Sequence, residues 1–491
     1  MRTILTIDRE KIISATLFIL PFAAPFLLLF SLYGAPFLVW VSLIPWLMFL
    51  FSERVSTKRK WYVSFLVGTL YGSLIVLPLY SLEGWWWTPE NVFFWAHREI
   101  LWNGLVTFLG LFGGGVAFFL FSIITLLLKE RVSWIALTVL LPAAWVLIEI
   151  GREFALAGLT WAHVGYLVNE AEPIQLAHLG GVHSLGFMVL LVNISFTLSL
   201  LTYTQKVDQR MFLMRACVPF FILLFIYGTG AGLYAFSENT ELGMTVAVVG
   251  SPYSTEESTG SAFFTEVIQK MENTLAETEI DVIVLPENIF PFLVIDKETN
   301  LPHGYEREGS IYNIFNNLAD LSRQYADTSF VIGVHSSENG DRFNSLIALE
   351  NGKVRDSYDK RMLLPFTEAV LPGVAGMDRY HINPLKRGSE EYIDTQHGRF
   401  GALICSEIAS HFSAPIPKEA RLILTGSNDS VLPHEQTGLY HNRMARVQAV
   451  THRLPVLRST KSGISAVIDA RGDALTSQKI QRSVIILTTD L

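Results

Sequence analysis

The chain has 491 residues, 50% of them hydrophobic and 17% charged, with a formal net charge of −8 at pH 7. A soluble protein carries about a quarter charged residues, so this composition excludes a purely water-soluble chain. No long basic run interrupts the acidic balance, which excludes the electrostatic footprint of a nucleic-acid binder.

The apolar excess is uneven. Before about residue 236 the chain is dominated by Leu, Phe, Ile, Val and Trp; after it Asp, Glu, Lys, Arg, Asn and Ser become frequent. The pattern predicts a membrane domain over 1–236 and a globular domain over 237–491. A spanning helix needs roughly 20 mostly apolar residues. About seven stretches meet that criterion, near 12–30, 35–51, 62–82, 102–128, 133–150, 183–203 and 212–235. The first lacks a small-residue cleavage site and is followed at once by a second, so it is read as a span and not as a cleaved signal peptide.

Orientation follows from Lys and Arg. Basic residues cluster at the start (Arg2, Arg9, Lys11), in "ERVSTKRKW", at "KER" (Lys129, Arg131) and in "TQKVDQRMFLMR" (Lys206, Arg210, Arg215). These fall at the start and after the second, fourth and sixth spans, on one side, which the positive-inside rule makes cytoplasmic. Seven spans then place the globular domain outside the cytoplasm, in the periplasm of a Gram-negative cell. The Trp-rich segment "EGWWWTPENVFFWAHRE" fits the lipid–water interface. His163, His178 and His183 lie scattered between spans without ligand spacing, so structural or interfacial roles and no metal are expected there.

From residue 243 the pattern changes. "MTVAVVG" predicts a strand, "SAFFTEVIQKMENTLAET" a helix, "IDVIVLPE" a buried strand, "GSIYNIFNNLADLSRQYA" a helix and "SFVIGVH" a strand. "RFNSLIALENGKVRDSYDK" predicts a hairpin turning at Asn351-Gly352. "RFGALICSE" and "ARLILTGSND" follow as strands, then a helix around "HNRMARVQAVTHR" and the strands "PVLRST" and "ISAVIDARG". Strands broken by helices predict an α/β domain, and the hairpins make its sheets mixed.

The chain holds 2 cysteines. Cys217 falls in the seventh span and Cys405 in the globular domain, so they are not expected to pair, and Cys405 is a free thiol in a compartment that favours disulfides. Buried cysteine is common as a small apolar residue, and a lone thiol is a weak signal. Its neighbours in the pattern matter more. Glu287 follows "VIVLP", Lys360 follows "DSYD" and Cys405 follows "GALI", each where a buried strand meets a loop. Singly, each has an ordinary surface or structural explanation. Together they supply a base, a cation and a thiol, a complete set for acyl transfer.

At this point the sequence resembles the nitrilase superfamily, and within it the bacterial apolipoprotein N-acyltransferases. "LPENIFP" resembles the segment around that family's catalytic glutamate. "YDKRMLLPFTE" resembles its lysine motif, which ends in a second glutamate, here Glu368. "LICSEIAS" resembles its cysteine motif, with Glu407 two residues beyond the thiol. "RMARVQAVTHRLPVLRSTKSGISAVID" resembles the close of the domain, and "PAAWVLIEIGREFALAGLTWAHVGY" is similar to a stretch between two membrane spans. The resemblance implies a polytopic α-helical membrane domain joined to a nitrilase-like α-β-β-α sandwich.

The resemblance also implies chemistry. Cys405 is the nucleophile, Glu287 the proton acceptor and Lys360 the cation that stabilises thiolate and oxyanion. Burial is expected to raise the pKa of Glu287 into a useful range, and the helix after Cys405 to favour negative charge on the thiol. Glu368 and Glu407 support the set, and Asn428 and Asp429 contribute to substrate binding. The donor is a membrane phospholipid and the acceptor the N-terminal amine of a diacylglyceryl-modified lipoprotein, with no cofactor or metal. Residues 151–182 and the Trp85–Trp87 loop are expected to form a lateral entrance for both. Three departures stand out. Ser406 and Val431 replace usual aromatics and thin the acyl pocket, and the chain stops at "SVIILTTDL", where the family usually continues into an eighth span. Two other classes remain open at this stage: a membrane-tethered nitrilase-superfamily amidase or transferase on another substrate, including relatives in plasmid-transfer systems, and a non-catalytic paralogue that binds lipoproteins.

Overall fold

The structure is a computed structural model that describes residues 18–76, 110–155, 160–204, 209–237, 241–252, 261–291, 293–303, 308–364, 368, 385–411, 415–431, 435–480 and 483–491. Contacts divide the chain into two compact units, the first built from segments ending at Leu233 and the second mainly from Tyr234–Leu491. The Trp85–Trp87 loop lies outside the described residues.

The first unit is helical: α1 (Ala23–Tyr33), α2 (Ile44–Phe51), α3 (Thr57–Val76), α4 (Val116–Leu128), α5 (Trp134–Ala155), α6 (Gly181–Thr204) and α7 (Gln209–Phe236). Among the described residues four helices are long and apolar enough to cross a membrane: Leu111–Leu128, Trp134–Ala155, Gly181–Thr202 and Phe212–Phe236. They correspond to the last four predicted spans. The stretch predicted as one span over 35–51 is broken instead, into a 3₁₀ turn at Pro36–Trp40 and α2. The reason is Pro45, which cannot donate inside a continuous helix and so stands in the first turn of α2. Asn193 of α6 meets the freed backbone groups, accepting from Leu43 N at 2.8 Å and donating to Val39 O at 2.9 Å. Such repair is what an apolar surrounding requires of exposed backbone.

Glycines set the closest helix contact in this unit. A Cβ on Gly68 would stand 2.5 Å from Gly114 O, and one on Gly72 would stand 2.6 Å from Gly110 O. The i, i+4 spacing on both sides lets two backbones touch, the small-residue packing typical of membrane helices.

The second unit is a four-layer sandwich. Among the described residues its first sheet has eight strands, with the path β14-β1-β2-β5-β3-β4 and the hairpin β6–β7 attached to β5. These are β1 (Thr245–Gly250), β2 (Val282–Val284), β3 (Val294–Asp296), β4 (Leu301–His303), β5 (Ser329–Glu338), β6 (Asp341–Glu350), β7 (Lys353–Asp359) and β14 (Ile485–Asp490). The second sheet runs β13-β12-β11-β10-β9-β8, from β8 (Tyr392–Thr395), β9 (Gly398–Ile404), β10 (Ile423–Asn428), β11 (Val456–Lys461), β12 (Ile464–Ile468) and β13 (Ala474–Lys479). Both sheets are mixed. The hairpin turns at Asn351-Gly352, both with positive φ, as the turn type demands.

Strand periodicity explains the layers. Val246, Val248, Val282 and Val284 face the second sheet, where Phe400, Ala402, Ile404, Leu422 and Leu424 meet them. Their alternates Ala247, Val249, Ile283 and Leu285 face α8 (Ser261–Glu277) and α9 (Glu308–Gln324). Both faces of β1 and β2 are buried, so these strands read as continuous apolar runs. Helix α10 (Glu435–His452) packs on β11 and β12.

One glycine positions a loop that matters below. A Cβ on Gly333 of β5 would stand 2.3 Å from Pro286 O and 2.6 Å from Glu287 Cα. Only a bare backbone lets the turn after β2 lie against β5, where Ile289 N donates to Gly333 O at 3.2 Å. Gly333→Ala is therefore expected to displace Glu287 while leaving both cores filled. Circular dichroism of the purified variant should match the parent, and any reaction that depends on Glu287 should fall by roughly 100-fold, the usual cost of a misplacement of about 1 Å.

Candidate active site

Glu287 follows β2, Lys360 follows β7 and Cys405 follows β9, so each stands just beyond the carboxyl end of its strand. The crevice beyond those ends is where open α/β sheets hold ligands. The two sheets bring the three residues together. Lys360 Nζ lies 4.0 Å from Glu287 Oε1, and Lys360 and Cys405 are in electrostatic reach of each other. Gly426 of β10 approaches the same turn, with room for no more than a tight Cβ 3.0 Å from Glu287 N.

Cys405 sits in the left-handed region, φ +53, between β9 and a one-turn 3₁₀ helix, Cys405–Ala409. A non-glycine residue there is strained by about 1–3 kcal/mol and must be held by its surroundings. The residue is partly accessible and makes no disulfide. Desolvation first, and then the charge of Glu287, push its thiol well above the ordinary range, while Lys360 opposes them. The favourable contributions expected from the helix and from Lys360 are outweighed here: a single 3₁₀ turn has little dipole, and burial beside a carboxylate exceeds one cation. The thiol is thus held above its ordinary range beside the Glu287 carboxyl.

Lys360 is fully buried. Burial alone would lower its pKa; Glu368, then Glu287 and Cys405, more than offset that and hold the ammonium well above its usual range. Glu368 is the nearest partner, with Lys360 Nζ 2.8 Å from Oε2. Its carboxylate also accepts from Leu364 N at 2.8 Å. Asn344 of β6 joins the two acids, donating from Nδ2 to Glu287 Oε1 at 2.7 Å and to Glu368 Oε1 at 3.0 Å. The other oxygen of Glu287 accepts from Asn428 N at 2.8 Å.

Glu407 ties the cysteine to the lysine loop. Its Oε1 accepts from Arg361 N at 2.8 Å and Met362 N at 3.0 Å, and its Oε2 from Ile404 N and Tyr358 OH, both at 2.8 Å. Burial pushes this carboxyl up, and the donors on either side of it pull back. It shapes the site by joining backbones and has no oxygen left over for a substrate.

Asn428 reaches Glu287 through its backbone, whereas Asp429 is turned into a buried network. Asp429 Oδ2 accepts from Arg458 Nη2 at 2.6 Å, and Oδ1 lies 2.9 Å from His441 Nδ1 and accepts from Ser427 Oγ at 2.8 Å. Burial would raise Asp429, but Arg458 and then His441 prevail and hold its carboxyl down at about 2. Both of its oxygens are thus engaged by protein side chains. His441 completes the link: its Nε2 lies 3.1 Å from Cys405 O. A third cation, Lys461, is buried at the end of β11 and donates to Asn288 O at 3.1 Å. Burial pushes it down to about 8, against the pull of Glu287.

Asn344, His441 and Lys461 were not singled out in the sequence. Asn344 had a signal: a polar residue inside the apolar strand "NSLIALE" that the period places inward. His441 and Lys461 had none, because their partners come from distant segments.

Residues 245–491, half of the chain, match the carbon-nitrogen hydrolase model, and residues 15–195 match the apolipoprotein N-acyltransferase N-terminal domain. The chain belongs to the carbon-nitrogen hydrolase family and, through both matches together, to its apolipoprotein N-acyltransferase branch. It is similar to the apolipoprotein N-acyltransferase of Geobacter metallireducens, 24% identical over 495 residues, which covers 94% of this chain and 85% of the relative. The enzyme of that name from Photobacterium profundum is 23% identical over 468 residues, 90% of this chain and 83% of its own. Among solved structures, a carbon-nitrogen hydrolase superfamily protein from Xanthomonas campestris overlaps 50% of this chain and 89% of its own, with 16% identity and a TM-score of 0.34.

Two outcomes test this geometry. His441→Ala removes the hold on the Cys405 carbonyl, so modification of Cys405 by an acyl donor should slow roughly tenfold and the melting temperature should fall as Asp429 loses a buried partner, and His441→Gln should recover part of both losses. Lys461 binds fewer protons folded than unfolded between about 8 and its ordinary 10.5, so the cost of burying its charge is full below pH 8 and vanishes as pH rises through that window. Lys461→Met should melt higher than the parent at pH 7, and the difference should shrink toward pH 10.5.

Proposed function

We propose that the chain is a membrane acyltransferase that moves a fatty acyl chain from a phospholipid, through a thioester on Cys405, to the N-terminal amine of a diacylglyceryl-modified lipoprotein. The observation that carries the reading is Lys360, a buried ammonium held between Glu287 and Glu368 and facing Cys405. The apolar helices of the first unit support it, since both substrates are lipid-anchored.

In the first half-reaction Glu287 takes the proton of the Cys405 thiol as sulfur attacks the ester carbonyl. The oxyanion of the tetrahedral intermediate is stabilised by Lys360, which is already desolvated and needs no reorganisation. The carbon–oxygen bond breaks, and the lysophospholipid alkoxide leaves with the proton from Glu287. In the second half the amine attacks the thioester, Glu287 accepts its proton, the carbon–sulfur bond breaks and the thiolate recovers that proton. Glu368 keeps Lys360 charged through both halves, and Asn344 bridges the two acids.

The site is placed outside the cytoplasm of the inner membrane. The support is the distribution of Lys and Arg, with Arg54–Lys60, Lys129, Arg131 and Lys206–Arg215 on one side. A reporter active only outside the cytoplasm should be active when fused after Leu491 and silent in the Arg54–Lys60 loop; the reverse pattern would remove lipoprotein maturation on the outer leaflet from consideration.

The enzyme incubated with phospholipid and quenched in acid should carry a fatty acyl group on Cys405, read by peptide mass spectrometry. Cys405→Ser should carry none, because a hydroxyl is a far poorer nucleophile here. In Lys360→Met the single-turnover rate of adduct formation should drop by about 10²–10³. An adduct from a small amide but none from phospholipid would assign an amidase, and no adduct from either would sink the catalytic reading.

A further inference from the structure

We infer that Glu149, His163 and His183 form a binding site for a divalent transition-metal ion of the zinc class inside the first unit. The three come from separate segments: Glu149 from α5, His163 from the loop before the 3₁₀ turn Val164–Leu167, and His183 from the first turn of α6. The sequence reading treated these histidines as scattered. The fold makes them neighbours, with imidazole centroids 5.1 Å apart.

Each residue offers one ligand atom, and these atoms all lie within 4.8 Å of one another. Zinc binds imidazole nitrogen and carboxylate oxygen at about 2.0–2.2 Å, so an ion between the three would draw them in by roughly an ångström. Two imidazoles and one carboxylate are the donor set of three-ligand zinc centres and of other first-row divalent sites. All three are buried, with exposures of 0%, 0% and 4%.

The surroundings are shaped for that convergence. A Cβ on Gly165 would stand 2.1 Å from Val182 O, so only glycine lets the loop carrying His163 lie on the turn carrying His183. A Cβ on Gly186 would stand 2.9 Å from Glu149 Oε2, so a second glycine opens α6 to the carboxylate. The two oxygens of Glu149 are differentiated. Oε1 accepts from Val164 N at 3.1 Å and lies 3.9 Å from Arg152 Nη2, while Oε2 has no hydrogen-bond partner among the described residues. Arg152 itself is anchored on Gly113 O. The guanidinium therefore orients the carboxylate from its other oxygen, as outer partners of metal ligands do. An ion here would join α5, α6 and the loop between them, and three protein ligands leave a fourth position open.

The test uses the full-length protein in detergent, loaded separately with Zn²⁺ and with Co²⁺ and desalted. Plasma mass spectrometry should find about one equivalent retained by the parent and by His178→Ala, which lies outside the cluster, and at least tenfold less in His163→Ala and His183→Ala. Zn²⁺ should raise the melting temperature of the parent and leave those two variants unmoved. If the variants fail to fold, the parent alone decides: bound Co²⁺ should give the intense visible spectrum of a four-coordinate site, which Zn²⁺ abolishes. A parent that retains neither ion, or retention equal in the parent and both variants, overturns the assignment.

Discussion

The second unit is organised around one buried charge. Lys360 has no access to water, and an ammonium so placed persists only with partners that replace its hydration. Glu368 at 2.8 Å supplies the close partner, and Glu287 at 4.0 Å the more distant one. The asymmetry matters. One carboxylate fixes the cation, and the other remains close enough to Cys405 to weigh on its thiol. Removing either acid would leave Lys360 a single carboxylate partner; removing the lysine would leave two acids bridged only by Asn344.

The fold meets that requirement by bringing strand ends to one place. The loops after β2, β7 and β9 carry a carboxyl, an ammonium and a thiol, and close backbone approaches at Gly333 and Gly426 allow the first of them to lie against both sheets. Glu407 then joins the lysine loop to the cysteine strand through three backbone N–H groups, and Asp429 reaches the Cys405 carbonyl by way of His441. The strained φ of Cys405 is consistent with this scaffolding: a side chain kept off the preferred backbone regions needs neighbours that over-determine it.

Much of this was legible from residue pattern. The doubly buried runs "TVAVV" and "IVL", the Asn351-Gly352 turn and the strand-end positions of Glu287, Lys360 and Cys405 are local signals, and the structure realises them locally. The rest depends on pairing between remote segments. Asn344 joins two acids that sit 57 and 24 residues away, and His441 meets Cys405 across 36. The break between Pro36 and Ile44 was masked because an apolar run of that length scores as one span whatever its prolines do. His163 and His183 are 20 positions apart on different elements, and only the glycine contacts at Gly165 and Gly186 bring them to Glu149.

The central claim is that Cys405 rests as a thiol and gives up its proton to Glu287 only as sulfur attacks. The rate of Cys405 alkylation by iodoacetamide, followed from about pH 6 to about pH 10 in a Cys217→Ser background, reads the thiolate directly. The account predicts slow alkylation at neutral pH, a rise confined to the alkaline limb, and a shift of that rise to lower pH in Glu287→Gln, where the neighbouring negative charge is gone. Fast alkylation independent of pH across the range would mean a preformed thiolate paired with Lys360, and would contradict it.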